Sequence, residues 1–322
     1  MILKFLTLIS RIFVGGMFVF SGFVKLVDPI GSQYKFQEYF SEAVLNLEFL
    51  IPYTLPFSII LIILEITLGL MLLIGFKPKF SIWSIFLLTL VFLFLTWYSA
   101  YYNKVTDCGC FGDAIKLSPW ETFYKNVILI VIIGFLITQI KNIKSIFSEK
   151  LSKLVTFISV LAFFYITYHF LVHLPIIDFR AYAIGKNIKE GMEYKGDGEM
   201  PPVHDFMLED AQQDLAPYLL DQEKVLLIIT YNINKADKNG FPAIKELANN
   251  ALIKGYKVYG VSASFSDDIV MIQNKFDLPF DYLFCDETTL KTMIRANPGV
   301  MILNKGTVVE KKNWGDIDEI KL

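Results

Sequence analysis

Two of the three cysteines of this chain are separated by a single glycine, in the segment Asp107-Cys108-Gly109-Cys110-Phe111-Gly112. Glycine lets the backbone turn tightly enough for the two sulfur atoms to meet. A disulfide across so short a ring is expected to be strained, and strained exposed disulfides are oxidising and readily exchanged. The pattern is typical of a redox pair that exchanges with a partner thiol. Three alternatives stay open: a clip that only shapes the loop, two unpaired thiols, and a metal site, although no matching second ligand pair is evident.

Three charged residues interrupt otherwise apolar stretches: Arg11, Lys25 and Glu65. Each costs a few kcal/mol in the middle of a membrane on insertion scales, so each should face other helices and find a partner. Counted from the ends of their helices, Arg11 and Glu65 lie at a similar depth. We therefore predict an intramembrane Arg11–Glu65 pair, either structural or involved in ligand or proton handling.

Two histidines and one more cysteine complete the residues that could carry chemistry. His169 and His173 are four residues apart, so they share one face near the end of a helix. They could contact a metal, a haem or a quinone, or simply make ordinary hydrogen bonds at an interface. Cys285 ends an apolar run and is interpreted as a small buried hydrophobic residue. Of these alternatives we favour those without a metal, and we predict no metal site.

The elements that must position these residues fall into two classes. The chain is 54% hydrophobic and 19% charged, whereas soluble domains are about 45–50% apolar and about 25% charged. The apolar excess lies before Pro175. A spanning helix needs about 20 apolar residues, and five stretches qualify: Phe5–Val27, Tyr53–Phe76, Phe80–Tyr102, Thr122–Ile140 and Leu154–Leu174.

The lysines predict the orientation of these helices. Lys77 and Lys79 lie in the second connection, and a second basic group lies in the fourth, at Lys141, Lys144, Lys150 and Lys153. Short basic loops stay in the cytoplasm. We therefore expect a bacterial inner-membrane protein, with a cytoplasmic N-terminus, a retained first helix, and the cysteine segment and all residues after Leu174 on the periplasmic side. Membrane lipid is then one partner.

The remaining sequence predicts a short amphipathic helix on the outer surface, between Pro29 and Pro52, and a soluble C-terminal domain. The predicted organisation is a membrane domain over 1–140, a basic loop and fifth helix over 141–174, a linker over 175–200, and a soluble domain over 201–322. In the last, strands alternate with helices before a closing hairpin, which indicates an α/β fold with a mixed sheet. A net charge of −2 without a basic stripe argues against a nucleic-acid partner.

The first part of the chain resembles known membrane families. Arg11–Gly16, Phe20–Gly22 and Lys25 are similar to the first helix of DoxX-type proteins, and Glu65 fits the second. The Asp107–Gly112 segment resembles the cysteine motif of the MauE branch, which is associated with methylamine utilisation. The resemblance implies a four-helix core that helps a periplasmic protein to acquire disulfides.

The C-terminal domain resembles thioredoxin-like domains of the TlpA type. Pro202–Asp210 is similar to their opening segment, and Asn297–Leu303 to the loop in which a cis-proline, here Pro298, precedes the hairpin. Where that family carries Cys-x-x-Cys, this chain reads Tyr231–Ala236 and has no cysteine. The resemblance therefore implies a degenerate domain that retains a groove at Asn297 and Pro298 for a partner.

These features together predict a membrane-embedded accessory of extracytoplasmic thiol–disulfide chemistry, with Cys108 and Cys110 as the exchanging pair. A quinone between the helices would accept the electrons, and a periplasmic protein with thiols or disulfides would be the partner. One alternative is a non-enzymatic scaffold that presents a partner-binding domain. A second is a small-molecule transporter, suggested by Arg11 and Glu65 but weakened by the lack of repeats.

Overall fold

The computed structural model describes residues 2–105, 109–196, 198 and 200–322. The chain divides into two compact units, residues 1–171 and 172–322. The first is built of helices, and the second combines helices with a β-sheet.

The first unit contains six α-helices among its described residues. These are α1 Ile2–Val27, α2 Pro29–Phe40, α3 Thr54–Ile74, α4 Pro78–Tyr102, α5 Pro119–Thr138 and α6 Glu149–Val172. All but α2 are long and apolar enough to cross a membrane, and they occupy the five predicted stretches. The prediction of five apolar membrane helices is therefore confirmed.

Helix α2 occupies only part of the region predicted to be amphipathic. It begins after Asp28, whose side chain accepts a hydrogen bond from the Gly31 amide, and it ends at Phe40. Val44 and Leu47, which also lie between Pro29 and Pro52, are beyond that end, so the amphipathic helix is shorter than the predicted region. Short-range hydrogen bonds, such as that from the Val44 amide to the Ser41 carbonyl, replace the helix there.

Helices α1 and α3 pack closely because small residues lie at their contact. A Cβ atom added to Gly69 would lie 2.8 Å from the Val19 backbone nitrogen and 2.9 Å from the Gly15 carbonyl oxygen. One added to Gly22 would lie 2.9 Å from the Ile66 nitrogen. Backbone atoms that are this near leave no room for a side chain, which is how small residues bring membrane helices together.

The second unit contains a five-stranded mixed sheet among its described residues. The strands are β1 Val225–Ile229, β2 Lys257–Ser262, β3 Tyr282–Phe284, β4 Gly299–Asn304 and β5 Thr307–Asn313, in the order β3-β2-β1-β4-β5. β1 is parallel to β2, and β2 to β3, whereas β1–β4 and β4–β5 are antiparallel. This confirms the predicted α/β unit with mixed strand direction.

The central strand divides the hydrophobic core into two layers. All five residues of β1 are fully buried. Successive side chains of a strand point to opposite faces, and Leu227 and Ile229 accordingly pack in one cluster while Leu226 and Ile228 pack in the other. The helices on these faces include α9 Phe241–Ile253, α10 Ser266–Phe276 and α11 Glu287–Met293. The short helices α7 Ile188–Met192 and α8 Ala216–Leu219 precede the sheet.

The stretch predicted to be a linker, residues 175–200, contributes to the core of the second unit. Tyr182 and Ile188 are buried in its larger cluster. The side chain of Asp178 accepts a 2.7 Å hydrogen bond from Arg180 Nε and also bonds to Lys311 Nζ. These contacts join the stretch to strand β5.

Burial and charge act against each other in this ionic cluster. Burial alone would raise the pKa of Asp178, but the positive charges of Arg180 and Lys311 hold that pKa at about 2. Burial, together with the charge of Arg180, lowers the pKa of Lys311 to about 8 despite the attraction of Asp178. Lys311 also donates to the carbonyl oxygens of Tyr182 and Met293, both at 2.9 Å.

Candidate functional site

A buried ion pair lies between helices α1 and α3. Lys25 Nζ is 2.8 Å and 3.1 Å from the two carboxylate oxygens of Glu65. Only 8% and 3% of their side-chain surfaces are exposed. Charges removed from water need a close partner of opposite sign, and this geometry supplies one for both residues.

The predicted Arg11–Glu65 pair is wrong. Arg11 instead donates to the carbonyl oxygens of Leu72, at 2.9 Å, and of Leu73 and Lys144. Because α3 ends at Ile74, its last carbonyl groups lack partners within the helix, and the five donors of a guanidinium group suit such a cluster. Leu72 is seven residues from Glu65, a rise of about 10 Å, so Arg11 lies roughly two helical turns from the predicted partner.

A chain of hydrogen bonds connects the ion pair to the cysteine segment. Lys25 Nζ donates to Ser21 Oγ at 2.7 Å, and Ser21 Oγ donates to the Cys110 carbonyl oxygen at 2.8 Å. Ser21 and Lys25 are four residues apart, so both project from one face of α1. That spacing was visible in the sequence, but nothing in it indicated that the Cys110 backbone would be the acceptor.

The side chain of Phe111 holds the same segment on the bundle. It is 6% exposed, and its ring centre lies 5.5 Å from that of Phe20 on α1. Lys125, on α5, places its ammonium group 4.4 Å from the Phe111 ring centre, within the range of a cation–π contact. Two helices therefore position the residue that follows Cys110.

The ion pair and the cysteine segment enclose a small cavity. Its volume is about 20 Å3, and it is lined by Lys25, Glu65, Ser21, Cys110 and Asn126, among others. A cavity of about 10–15 Å3 holds one water molecule if the site supplies polar partners. The arrangement can thus hold one water between a half-buried cysteine and a buried Lys–Glu pair.

The predicted partner of Cys110, Cys108, lies outside the described residues, as does Asp107. The pairing of the two cysteines therefore stays a prediction. Cys110 itself is half-buried at the edge of the cavity.

The two histidines make different contacts. His173 Nδ1 is 2.7 Å from an Asp316 carboxylate oxygen, and the ring of His169 lies 5.6 Å from that of Phe170. Among the described residues, no group of three or more His, Cys, Asp or Glu side chains could hold a metal ion.

The loop that includes Asn297 and Pro298 lies immediately before β4. The Asn297–Pro298 peptide bond is cis. Asn297 Nδ2 donates to the Asn232 carbonyl oxygen at 2.8 Å, and the Asp237 amide donates to the Asn297 carbonyl oxygen at 2.9 Å. The loop is thereby attached to Asn232, within the Tyr231–Ala236 segment, and to Asp237, which follows that segment.

Cys285 is 1% exposed and belongs to the larger core cluster of the second unit. Burial raises the pKa of its thiol to about 12. A thiol in this state is a poor nucleophile, since the thiolate is the reactive form. The interpretation of Cys285 as a buried hydrophobic residue agrees with this environment.

Comparison with known proteins identifies one family. Residues 3–139 match the family model of methylamine utilisation protein MauE. The match covers less than half of the chain and confirms the predicted resemblance of its first 140 residues to MauE. No curated protein and no solved structure matches the chain, so the DoxX and thioredoxin-like resemblances stay predictions.

Proposed function

We propose that this chain is a membrane-embedded accessory of thiol–disulfide chemistry that exchanges disulfides with a periplasmic partner through Cys108 and Cys110. The observation that carries the proposal is the attachment of the cysteine segment to a buried Lys25–Glu65 pair through Ser21. The match of residues 3–139 to MauE supports an accessory role, by the association of that family with methylamine utilisation.

The proposed reaction balances as a disulfide exchange. A thiolate of the partner attacks one sulfur of a Cys108–Cys110 disulfide, and the other cysteine leaves as a thiolate and takes up a proton. The second partner thiol, after losing its proton, attacks the mixed disulfide. The partner is then a disulfide, and Cys108 and Cys110 are both thiols. A quinone, reduced to a quinol by two electrons and two protons, would restore the disulfide.

The roles of the surrounding residues follow from their contacts. Lys25 and Glu65 are positioning residues in this proposal. They act on Cys110 indirectly, through the Ser21 hydroxyl, which donates to the Cys110 backbone carbonyl oxygen. The water-sized cavity beside them would hold a water that takes up or releases the proton. Phe111 holds the segment close to α1.

The second unit is proposed to be a degenerate thioredoxin-like domain that binds the partner. Two parallel strand pairs followed by an antiparallel hairpin support this assignment. Its Asn297–Pro298 loop would contact the partner, while the Tyr231–Ala236 segment supplies no cysteine for exchange. Because the short basic loops would stay in the cytoplasm, the cysteine segment and this unit would lie on the periplasmic side of the inner membrane.

The first experiment measures the redox state of Cys108 and Cys110 in intact membranes. Cells are acid-quenched, alkylated with a mass-tagged maleimide, and compared before and after mild reductant and quinone depletion. We expect the wild-type pair to cycle with the quinone pool. Cys108→Ser/Cys110→Ser should abolish oxidation of the partner, whereas Cys285→Ser, the matched control, should leave it unchanged. A pair that stays locked in one state throughout would overturn the proposal.

The alternative with a specific observation in its favour is a scaffold. Asn297 holds its loop against Asn232 through a 2.8 Å hydrogen bond, and the segment Tyr231–Ala236 beside it contains no cysteine. If the protein is a scaffold, Cys108→Ser/Cys110→Ser would leave the oxidation of the partner unchanged, whereas disruption of the Asn297–Pro298 loop would abolish it. The transporter alternative loses support, because Glu65 is paired with Lys25 and the adjoining cavity has a volume of only about 20 Å3.

A further inference from the structure

Helix α4 carries a groove at the end of the bundle where the basic connection between α3 and α4 lies. Its volume is about 950 Å3, and apolar side chains account for most of its lining. Phe80, Trp83 and Leu87 are 57%, 48% and 65% exposed. Lys77 and Lys79 line the mouth of the groove.

The dimensions of the groove suit one leaflet of a membrane. Its lining runs along α4 from Lys79 to Leu90, which at 1.5 Å per residue is about 16 Å. Half of a hydrocarbon core of about 30 Å is about 15 Å. An acyl chain that lies along the groove would therefore place its headgroup at the lysines.

The charge at the mouth selects the type of headgroup. Lys77 and Lys79 are both part of the lining and flank the beginning of α4, at Pro78, and the positive end of the helix dipole is at that terminus. Within the lining, no acidic side chain is present to offset these charges. Basic pockets between membrane helices bind anionic lipid headgroups.

We propose that this groove is a specific site for one anionic phospholipid, with the phosphate between Lys77 and Lys79 and an acyl chain against Phe80, Trp83 and Leu87. The site lies on α4, and it is independent of the cysteine segment and of the proposed exchange reaction. Neutral phospholipids would occupy the groove more weakly, since they offer the same acyl contacts without the net negative charge.

The test is native mass spectrometry of the full chain released from nanodiscs of phosphatidylglycerol or phosphatidylcholine. We expect one phosphatidylglycerol to be retained and phosphatidylcholine to be lost. Lys77→Gln/Lys79→Gln should weaken phosphatidylglycerol binding by about 25-fold, since each lysine near a charged surface contributes about fivefold. Lys150→Gln/Lys153→Gln, which removes two exposed lysines near the beginning of α6, is the matched control and should change binding less than twofold, since charges away from the site are screened by salt.

A second measurement does not depend on the variants. A phosphatidylglycerol with a photoreactive acyl chain should crosslink to the wild-type α4 peptide that contains Trp83, Leu87 and Leu90. The proposal would be overturned by equal retention of the two lipids, by equal effects of the two lysine pairs, or by crosslinks spread evenly over the helices. It would also be overturned if the chain were released as a dimer without lipid, because a second copy would then cover the groove.

Discussion

Removing one member of the buried Lys25–Glu65 pair should destabilise the helical bundle strongly. Glu65→Gln keeps the size of the side chain and removes its charge, so the Lys25 ammonium group would remain buried without its counter-ion. Breaking a buried pair in this way costs about 3–5 kcal/mol. We expect a loss of this size in the free energy of unfolding.

The magnitude follows from the burial of the pair. Lys25 and Glu65 expose 8% and 3% of their side chains and are joined by contacts of 2.8 Å and 3.1 Å. After the substitution, Lys25 Nζ retains its 2.7 Å hydrogen bond to Ser21 Oγ. The Ser21 hydroxyl accepts this hydrogen bond but carries no charge. The lost Coulomb attraction is therefore not replaced.

The assay is unfolding of the detergent-solubilised chain with increasing denaturing detergent, followed by far-UV circular dichroism. The variant Lys25→Met/Glu65→Leu removes both charges and should recover most of the loss, because replacing a buried pair with apolar residues is often neutral or stabilising.

The Lys35–Glu38 pair provides the matched control. Its contact distance is 2.9 Å, but 32% and 39% of the two side chains are exposed. Exposed pairs contribute about 0–1 kcal/mol, so Glu38→Gln should have a small effect. The reasoning is refuted if Glu65→Gln costs no more than Glu38→Gln, or if the double variant is less stable than Glu65→Gln alone.

Three further predictions concern the packing of the helices and the titration of the second unit. Gly69→Ala should lower the stability of the bundle by about 1–3 kcal/mol, because the new Cβ atom would lie 2.8 Å from the Val19 backbone nitrogen. Gly16→Ala is the control and should have little effect, because no atom lies within 4 Å of a Cβ atom built there. Equal unfolding midpoints of the two variants in the detergent titration would contradict this prediction. The pKa of Asp178 is lowered from 3.8 to about 2 in the folded protein. Its contribution of roughly 2 kcal/mol to the free energy of unfolding is therefore fully present above the unfolded-state pKa and is lost as the pH falls through the folded-state pKa. Pulse proteolysis with pepsin between about pH 4 and pH 2 should show this loss, and Asp178→Asn should flatten the pH dependence; an unchanged slope in that variant would count against it. Cys285 should resist maleimide in the native protein and react after denaturation, because burial raises its pKa to about 12; rapid native labelling that Cys285→Ser removes would show that the thiol is accessible.

The strands and long helices were predictable because their signals are local. Five apolar runs of sufficient length predicted α1, α3, α4, α5 and α6. The start of α5 has a local signal as well, since Ser118 and Glu121, three residues apart, form a capping box. In the second unit, a short uninterrupted apolar run such as Val225–Ile229 is the local signal of a buried strand, and β1 is completely buried.

The candidate site was predictable only in part. Three of its residues were identified from the sequence. Lys25 and Glu65 are charges within apolar stretches, and Cys110 belongs to a pair of cysteines separated by one glycine. Ser21 and Phe111, which connect the cysteine segment to α1, were missed as contacts. Their partners are 89 and 91 residues away, and no local pattern specifies a contact at that separation.

The sequence by itself determined which segments are membrane helices, where the mixed sheet lies and which charges need partners. Only the tertiary structure decided that Glu65 pairs with Lys25, that Arg11 binds the end of α3, and that residues 175–200 pack into the second unit. Hydrophobic length and periodicity act within one segment, whereas an ion pair depends on the rotation and relative translation of two packed helices. Those quantities are set by close contacts such as Gly69 against Val19, which form only when α1 and α3 come together.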